Sequence, residues 1–341
     1  MRSLVYLFPS NFDHPGLRIK AEGQLGAFST KYSVKLVHFP FQSQDSILRK
    51  VSGYVWFHLQ SVVSCLSSDV VYFRYNAKFP ILVLFLYVLS FFKSVYIEYN
   101  GMYDHELRFL KRYFEYVVHQ INTFFLKRSR CRHLVIRNAI RDHFIHLGFP
   151  SARVIRFSNG YSPVKKMAAP ALADKVRGLK SGFIKVALFV SSGQVWVDLG
   201  VLYKHIAPFP DLLVLLVGPY DATQISHPQV AVLGSLSPGE IQEISDLCDF
   251  GIGHLNWDVM GGKEGSHLKT VEYLCNGLPV LINYYDYVAE ITEIRPYIFN
   301  LQEDEKALAK LYQFSYEPYE LKCLARELLS WETVLLPLIT G

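Results

Sequence analysis

Short apolar runs recur along the chain, and longer stretches with apolar residues at helical spacing separate them. The first half has six such runs, at Leu4–Phe8, Val34–His38, Val70–Phe73, Val95–Glu98, Leu134–Ile136 and Val154–Phe157. The second half has five, at Val186–Val190, Leu213–Val217, Val230–Leu233, Phe250–Ile252 and Val280–Asn283. Alternation of buried strands with helices is typical of parallel α/β sheets. We therefore expect an α/β protein.

The length of 341 residues exceeds what one ordinary hydrophobic core needs, so two domains are expected. The segment 162–182 is rich in Pro, Ala, Gly and Lys, and it is the best candidate for a linker. We predict a first domain over 1–162 and a second over 163–318. Both would be Rossmann-like and doubly wound, facing a cleft at the carboxyl ends of their strands, where such folds bind ligands.

The final stretch of the chain, 320–338, has the pattern of an amphipathic helix. We expect 319–341 to close the structure by packing back on the first domain.

Composition favours a folded protein of a reducing compartment. Half of the residues are hydrophobic and 15% are aromatic, which argues against disorder. The N-terminus lacks the long apolar core of a signal peptide. The five cysteines show no C-x-x-C spacing, which argues against a disulfide framework or a zinc site. A cytoplasmic location is expected.

Charge is distributed unevenly between the two halves. Residues 1–160 carry 21 Lys and Arg against 9 Asp and Glu, whereas residues 161–341 carry 14 against 21. A basic first half indicates a polyanionic partner, either an anionic membrane surface or nucleic acid.

Two stretches of the first half favour the membrane. The run "FPILVLFLYVLSFF" (79–92) is apolar throughout, and 108–133 mixes aromatic with basic residues. The run has 14 residues, short of the ~20 of a spanning helix, so it is either a buried core helix or an interfacial one. No RNP, zinc-finger or helix-turn-helix pattern accompanies the basic stretch, so we expect no nucleic acid. We expect peripheral binding to the inner face of the plasma membrane.

The stretch "KEGSHLKTVEYLCNGLPVLINYYD" (263–286) carries the strongest chemical signal. Its apolar residues fall at helical spacing, Gly277 is placed as a C-cap, and Pro279 prevents continuation. The helix is therefore expected to begin near Ser266 or His267, with Gly265 and Ser266 forming a turn before it. Ser266 is the expected N-cap.

Such a helix start suits a nucleotide. It presents unpaired N–H groups and the positive end of the helix dipole, and Lys263 and Lys269 add full charges. Glu272 lies deeper, where its carboxylate can accept hydrogen bonds from the ribose hydroxyls, and Glu264 lies at the mouth. The alternative is that acidic residues simply favour a helix N-terminus, which explains Glu264 but explains Glu272 less well.

The spacing of the two glutamates is not specific by itself. With 16 Glu in the chain, about one pair at this separation arises by chance. A second pair with seven intervening residues, Glu98 and Glu106, lacks both the Gly-Ser dipeptide and the helix start.

The block "GIGHLNWDVMGGKEGSHLKTVEYLCNGLPVLINYYD" (251–286) resembles the donor site of bacterial glycosyltransferases of family 4, which have the GT-B fold. Weaker similarities extend over most of the chain, at "VYFRY" (71–75), "EYNG" (98–101), "FSNGY" (157–161), "LLVLLVGP" (212–219) and "SWE" (330–332).

The resemblance implies a retaining enzyme that moves a hexose from a nucleoside-diphosphate sugar to a polysaccharide or a lipid-linked oligosaccharide. Glu264, the expected catalytic residue, would contact the donor sugar, and Glu272 would hold the ribose. The segment from Gly265 through His267 and Leu268 would bind the sugar hydroxyls and the diphosphate. Basic side chains and the helix dipole would take the place of a metal, so no metal or cofactor is expected, and the sequence has no Asp-x-Asp.

The chain departs from the family at one important place. An Arg and a Lys usually follow the first strand of the second domain, but here 189–200 contains Gln194 and Asp198 and no cation. Lys263, Lys269 or Arg74 would have to replace them. A His that often follows the fourth strand is also missing, although His105 lies nearby in the sequence.

The remaining candidates lie in the first half. Arg74 ends a predicted strand and is equally suited to a phosphate or a structural ion pair. Asp13, His14 and Gly16 follow the first strand and are weak candidates for the acceptor side. Asn159 is expected only to form a tight turn before the linker.

Two alternatives to the transferase remain open. One is a catalytically weak GT-B partner subunit that binds a nucleotide sugar or lipid carrier, which the missing Arg and Lys would explain. The other is a GT-B epimerase acting on a sugar nucleotide.

Overall fold

The computed structural model describes residues 1–10, 15–40, 45–191, 193, 197–223, 225, 227–256 and 263–340. The chain forms two compact units, Met1–Ser158 with Val334–Gly341 and Asn159–Thr333.

The first unit is built on a six-stranded parallel sheet with the strand order β2-β1-β3-β4-β5-β6. Its strands are β1 (Arg2–Phe8), β2 (Tyr32–His38), β3 (Val70–Arg74), β4 (Ser94–Tyr99), β5 (Arg132–Val135) and β6 (Val154–Arg156). Its helices are α1 (Pro15–Ser29), α2 (Ile47–Ser67), α3 (Pro80–Leu89), α4 (Tyr103–Phe109), α5 (Tyr113–Leu126) and α6 (Asn138–His146). The order reverses at β1, as in a doubly wound sheet.

The second unit has its own six-stranded parallel sheet, in the order β14-β12-β10-β7-β8-β9. Its strands are β7 (Lys185–Val190), β8 (Leu212–Val217), β9 (Val230–Gly234), β10 (Phe250–Ile252), β12 (Val280–Ile282) and β14 (Ile298–Asn300), and the two-residue strands β11 (Glu264–Gly265) and β13 (Tyr285–Asp286) pair separately. Its helices are α7 (Pro170–Lys180), α8 (Leu199–Ile206), α9 (Pro238–Ser245), α10 (Leu268–Cys275), α11 (Ala307–Gln313) and α12 (Pro318–Leu328).

The strands form where the apolar runs predicted them. All six residues of β8, "LLVLLV", are buried, as expected for a parallel strand covered by helices on both faces. The eleven predicted strands are all present, which confirms the α/β fold class. β14 and the short pair β11 and β13 were not predicted, because they lack a long apolar run.

The predicted linker contains a helix. α7 occupies Pro170–Lys180 within 162–182, and its Ala173 and Val176 are buried in the second unit. Pro170 starts the helix, because a proline at the first turn loses no helical hydrogen bond. Composition alone therefore misjudged this segment.

The C-terminal stretch is divided into three helices, unlike the single helix expected over 320–338. α12 is followed by α13 (Trp331–Val334) and α14 (Leu336–Thr340). α12 buries Leu321 and Ala325 in the core of the second unit. Only residues from Val334 onward belong to the first unit.

α14 is attached to the first sheet through its backbone. The hydroxyl groups of Tyr32 and Tyr96 donate hydrogen bonds to the carbonyl oxygen of Ile339, at 2.9 and 3.3 Å. Leu336 and Ile339 are buried.

A charged pair lies inside the first unit. The Lys20 amine is 2.7 Å from Glu98 Oε1, and both side chains are almost completely buried. Tyr72 and Gln24 donate to the other carboxylate oxygen, at 2.6 and 2.8 Å. Burial alone would raise the pKa of Glu98, but Lys20 and Arg74 lower it to about 2. The carboxylate is therefore ionised and fully engaged.

None of the helices within the described ranges is long and apolar enough to cross a membrane. The apolar run 79–92 forms α3 and the turn after it; Leu82 and Leu86 are buried, whereas Ile81 and Phe92 are exposed.

Candidate functional site

The carboxyl edge of the second sheet carries the segment singled out by the sequence. α10 connects β10 with its neighbour β12, so its first turn lies at the edge where these parallel strands end. Ligands of doubly wound sheets bind at this edge.

Gly265 lies in a two-residue strand rather than in the expected turn. Glu264 and Gly265 pair in parallel with Tyr285 and Asp286. A Cβ on Gly265 would lie 2.6 Å from the Tyr284 ring and 2.7 Å from His267 Nε2. The position therefore requires glycine because two rings approach the backbone, and this close packing fixes the path of the chain past Glu264.

The sequence predicted Ser266 as the N-cap of α10, and this prediction is wrong. The N-cap is His267, and its own side chain makes no capping hydrogen bond. Ser266 is buried, and its Oγ accepts a hydrogen bond from the N–H of Asn159 at 3.2 Å. The Asn159 side-chain amide donates to the Ser266 carbonyl oxygen at 2.6 Å. The serine thus anchors the loop that leads into α10.

Asn159 is a site residue that sequence reasoning missed. It was assigned to a tight turn, because a single Asn-Gly dipeptide gives no sign of a partner more than 100 positions away. The adjacent Gly160 is equally constrained, since a Cβ there would lie 2.6 Å from the Trp331 ring. The similarity of "FSNGY" to the family was the one signal that could have found this contact.

The buried carboxyl group of Asp286 contacts the same loop. Asp286 is 1% exposed and accepts a hydrogen bond from the N–H of Val288 at 3.2 Å. Burial raises its pKa to about 7, although the Thr270 hydroxyl and the backbone N–H groups of Val288 and His267 act to lower it. Because the His267 N–H is directed at Asp286, this group helps to fix the loop.

Imidazole and phenol rings line the helix start. The His267 ring lies 4.7 Å from the Tyr284 ring and 4.4 Å from the His254 ring. Burial, assisted by the nearby Lys269 charge, holds the pKa of His254 far below its usual range. His254 is therefore neutral, and it can exchange hydrogen bonds without adding charge.

Lys269 brings a cation to the end of β7. Its amine donates to the carbonyl oxygen of Val190, the last residue of that strand, at 2.8 Å. It also lies 5.1 Å from the centre of the Phe189 ring. Burial lowers the pKa of Lys269 to about 7, and Glu272 partly offsets this effect. An anion beside the amine would favour its charged form.

The two glutamates differ in their surroundings. Glu272 follows Lys269 by three residues on α10, so the two share one side of the helix. Burial raises the pKa of Glu272, while Lys269 acts to lower it. Glu264 is half-buried in β11 and Lys263 beside it is exposed. Leu268, also half-buried, begins the helix.

A small pocket lies near the ends of β7 and β10. Its polar lining is formed by Asp198, His254 and Asn256, and its apolar lining by Phe189, Val197, Leu202 and Leu255. Asp198 is the N-cap of α8, and its carboxylate accepts from the N–H of Gly200 at 2.8 Å. Gln194 lies outside the described residues.

The other predicted residues belong to the first unit. Arg74 ends β3, and its guanidinium lies 5.2 Å from the centre of the Phe8 ring. Gly16 is the second residue of α1. Asp13 and His14 lie outside the described residues. The structure therefore gathers the 263–272 segment into one site and leaves these four as separate hypotheses.

Glu98 and Glu106, the second pair of glutamates with the same spacing, make structural contacts in the first unit. Glu98 is the buried partner of Lys20. Glu106 lies against Gly101, where a Cβ would come within 2.0 Å of its Oε1, and burial raises its pKa. Glu98 in particular cannot serve as a neutral comparison for Glu264 and Glu272.

The two doubly wound units together have the GT-B fold, the fold of a large class of glycosyltransferases. The Anabaena protein HepE, solved with UDP and glucose, matches with a TM-score of 0.57 and 14% identity over 97% of this chain and 96% of that one. WaaG, a glycosyltransferase involved in lipopolysaccharide biosynthesis, matches with a TM-score of 0.60 and 15% identity over 99% and 100% of the two chains. A UDP-N-acetylglucosamine 2-epimerase also matches, with a TM-score of 0.53 and 10% identity over 95% and 91%.

No family model matches the sequence. The search of the curated proteins likewise finds no match. At these identities the structural likeness establishes the fold, and the chemistry has to be argued from the site.

Proposed function

We propose that this protein is a retaining glycosyltransferase that moves a hexose from a nucleoside-diphosphate sugar to a polysaccharide or lipid-linked oligosaccharide. The observation that supports it most is the position of Lys269. A half-buried amine at the end of β7, beside the start of α10, supplies positive charge where the sequence lacks the usual Arg and Lys. HepE, a structural neighbour, binds UDP and UDP-glucose.

The site residues take distinct roles in this proposal. Lys269 and the first turn of α10 neutralise the leaving diphosphate, with Lys263 as a second, exposed cation. Glu272 accepts hydrogen bonds from the ribose hydroxyls. Glu264, on the short strand β11, contacts the donor sugar. Asn159 positions this segment through Ser266.

Transfer with retention then needs no nucleophile from the protein. The leaving phosphate accepts the proton of the acceptor hydroxyl on the face where the new bond forms. The protein contributes orientation and charge stabilisation. A metal is not needed in this scheme, because Lys269 and the helix dipole carry the compensating charge.

Nucleotide-dependent stabilisation provides the first test. The melting temperature would be measured with UDP, GDP, ADP and CMP, and one nucleotide is expected to stabilise the protein. Ligand at 100 times its dissociation constant adds about 2.7 kcal/mol. If none of the four shifts the melting temperature, the donor assignment is wrong.

Product analysis provides the second test. The preferred nucleotide would identify the sugar donors, and the anomeric configuration of the product would be read by NMR. An α-linked product from an α-configured donor supports retention, and inversion contradicts it.

The likeness to a UDP-N-acetylglucosamine 2-epimerase is the observation that supports the epimerase alternative. An epimerised sugar nucleotide formed without an acceptor would identify that activity.

A catalytically weak partner subunit would bind the nucleotide and give neither product. The missing cations after β7 favour this alternative, and the position of Lys269 at the end of β7 argues against it.

A further inference from the structure

The exposed apolar side chains are concentrated in one part of the first unit. Among the described residues, 24 large hydrophobic side chains are exposed, and 20 of them lie between Ile47 and Phe124. The described part of the second unit has three, Met167, Ile184 and Tyr319. Soluble surfaces normally scatter such residues singly, so this concentration indicates an interaction surface.

α2 has its apolar side directed outward. Its exposed stripe repeats every three or four residues and consists of Ile47, Val51, Val55, Leu59, Val63 and Leu66. Its buried side consists of Gly53, Phe57, Ser61, Ser64 and Cys65, of which only Phe57 is large and apolar. A helix that only covers a sheet would show the opposite arrangement, with polar residues outward.

α3 and α5 continue the same pattern. α3 exposes Ile81, Leu84 and Val88, with Phe91 and Phe92 in the turn that follows. α5 exposes Tyr113, Phe114, Val117, Ile121 and Phe124. α3 packs against both α2 and α5.

The topology places the three helices on one side of the first sheet. The connections β2 to β3, β3 to β4 and β4 to β5 all advance in the same direction along the strand order. Right-handed crossovers that advance in one direction put their helices on one face of the sheet. The exposed stripes of α2, α3 and α5 therefore form a single surface, called here the three-helix face.

Positive charge accompanies the three-helix face. Residues 47–132 contain twelve Lys and Arg against five Asp and Glu, and two of those five, Glu98 and Asp104, are buried. The guanidinium of Arg128 lies 3.8 Å from the centre of the Phe124 ring, and that of Arg130 lies 5.4 Å from the Phe91 ring. Cations thus stand directly beside exposed aromatic side chains.

We propose that the three-helix face docks on an anionic bilayer surface. The apolar stripes enter the boundary between headgroups and acyl chains, and the cations meet the lipid phosphates. The sequence pointed to 79–92 and 108–133 for such contact, and the structure adds α2 as the most extensive contributor. Because α2 packs against α3 and against the strands β1 and β2, its 21 residues would lie along the membrane surface rather than cross it.

A second copy of the chain fits the same face less well. A symmetric dimer interface places the same patch on both sides, so the excess of positive charge would oppose itself. Anionic headgroups provide the opposite charge at the rim of the apolar stripes. Charge complementarity therefore favours lipid.

Vesicle sedimentation tests the proposal. The protein is expected to pellet with vesicles of phosphatidylcholine containing phosphatidylglycerol, and at least tenfold more weakly with phosphatidylcholine alone. Trp56 on α2 is 45% exposed, so its fluorescence should shift to the blue on binding. Trp56→Phe should remove that shift while leaving sedimentation nearly unchanged. An unshifted Trp56 spectrum in pelleted protein would show that α2 does not enter the bilayer.

A matched pair of double variants separates the face from general surface hydrophobicity. Leu59→Gln with Val63→Gln changes side chains that are 62% and 61% exposed on α2. Ile184→Gln with Tyr319→Gln changes side chains that are 66% and 77% exposed in the second unit. The first pair is expected to lower the vesicle partition coefficient at least tenfold, and the second to leave it unchanged.

Equal effects of the two pairs would overturn the proposal. So would a lipid-free dimer, found by light scattering, that only the α2 pair dissociates, since the face would then serve a second copy. Because all the changed side chains are exposed, both variants should keep the wild-type melting temperature, which is measured alongside. Binding of the preferred nucleotide by the same variants is independent of the outcome, so a failure here leaves the donor proposal intact.

Discussion

At the scale of single residues, Lys269 has the most informative environment. Lys269 is half-buried, and desolvation of its amine lowers the pKa to about 7. A bound diphosphate would raise this pKa, because a nearby negative charge favours the ammonium form. The free protein is therefore partly deprotonated near neutral pH, and the complex takes up a proton.

The pH dependence of binding follows with a definite sign. Affinity for the preferred nucleoside diphosphate should be highest below about pH 7 and should fall as the pH rises, by at most about tenfold per unit for one proton. Calorimetry in buffers of different ionisation enthalpy should show proton uptake at pH 7.5. Lys269→Met should bind more weakly and show no uptake from this group. Unchanged proton uptake in that variant would contradict the assignment.

Substitution of Glu272 is expected to weaken nucleotide binding, whereas substitution of Glu264 is expected to slow sugar transfer. Glu272→Gln removes a charged acceptor for the ribose, a hydrogen bond of roughly 1.5–3 kcal/mol, so nucleotide binding should weaken about 10- to 150-fold. Glu264→Gln should lower the transfer rate but largely preserve binding of the bare nucleoside diphosphate. Titration calorimetry and transfer assays would measure both effects.

Glu320→Gln is the suitable control, because this exposed carboxylate on α12 lies away from the 263–272 segment in sequence and makes no hydrogen bond within the described structure. Glu98 is unsuitable, because removing it would leave the Lys20 charge buried without its carboxylate. If Glu320→Gln weakens nucleotide binding as much as Glu272→Gln, the ribose assignment is wrong.

At the scale of elements, the short strand β11 depends on Gly265. Gly265→Ala would force a Cβ against the rings of Tyr284 and His267, at 2.6 and 2.7 Å. Overpacking of this kind should lower the free energy of unfolding by about 1–3 kcal/mol. Because the same strand carries Glu264, sugar transfer should fall as well. Urea denaturation of the variant measures the stability change.

Gly182→Ala provides the comparison for that experiment. Within the described part of the chain, no atom lies within 4 Å of a Cβ built on Gly182, and its backbone has no positive φ. The substitution should leave stability unchanged or raise it slightly. Equal losses in the two variants would mean that the ring contacts at Gly265 are unimportant.

The sequence predicted the strands and helices better than the short strand pairings and side-chain contacts between them. The eleven strands followed from continuous apolar runs, since parallel strands are buried on both faces. α10 followed from helical spacing that ends at Gly277. The strand β11 and the contact of Asn159 with Ser266 could not be predicted, because both depend on partners remote in sequence.

The outward direction of the apolar side of α2 was not predicted, for a different reason. Sequence patterns show that a helix has one apolar side, but they do not show which side meets the sheet. Gly53, Ser61 and Ser64 on the inward side became evident only once the helix had been placed.

At the scale of the whole molecule, the first unit is assembled from two separated parts of the chain. Its last helix, α14, contributes buried Leu336 and Ile339, and the Ile339 carbonyl accepts hydrogen bonds from Tyr32 and Tyr96. Removing residues 334–341 should therefore destabilise the first unit, by about 2–5 kcal/mol for the lost apolar burial. Hydrogen exchange should report faster exchange in β2 and β4, with α10 in the second unit protected as before. Loss of protection in α10 alone would contradict this expectation.

The split of the first unit also determines the order of events on the ribosome. Tyr32 and Ile339 are 307 positions apart, so the hydroxyl of Tyr32 has no carbonyl to bind until nearly the whole chain has been made. At about 5–20 residues per second, the nascent first unit waits on the order of 15–60 s for its final helix. Throughout that interval the exposed stripe of α2 is already synthesised and available for non-native contacts. We therefore expect a newly made chain to benefit from binding a chaperone or a bilayer before its last helix has formed.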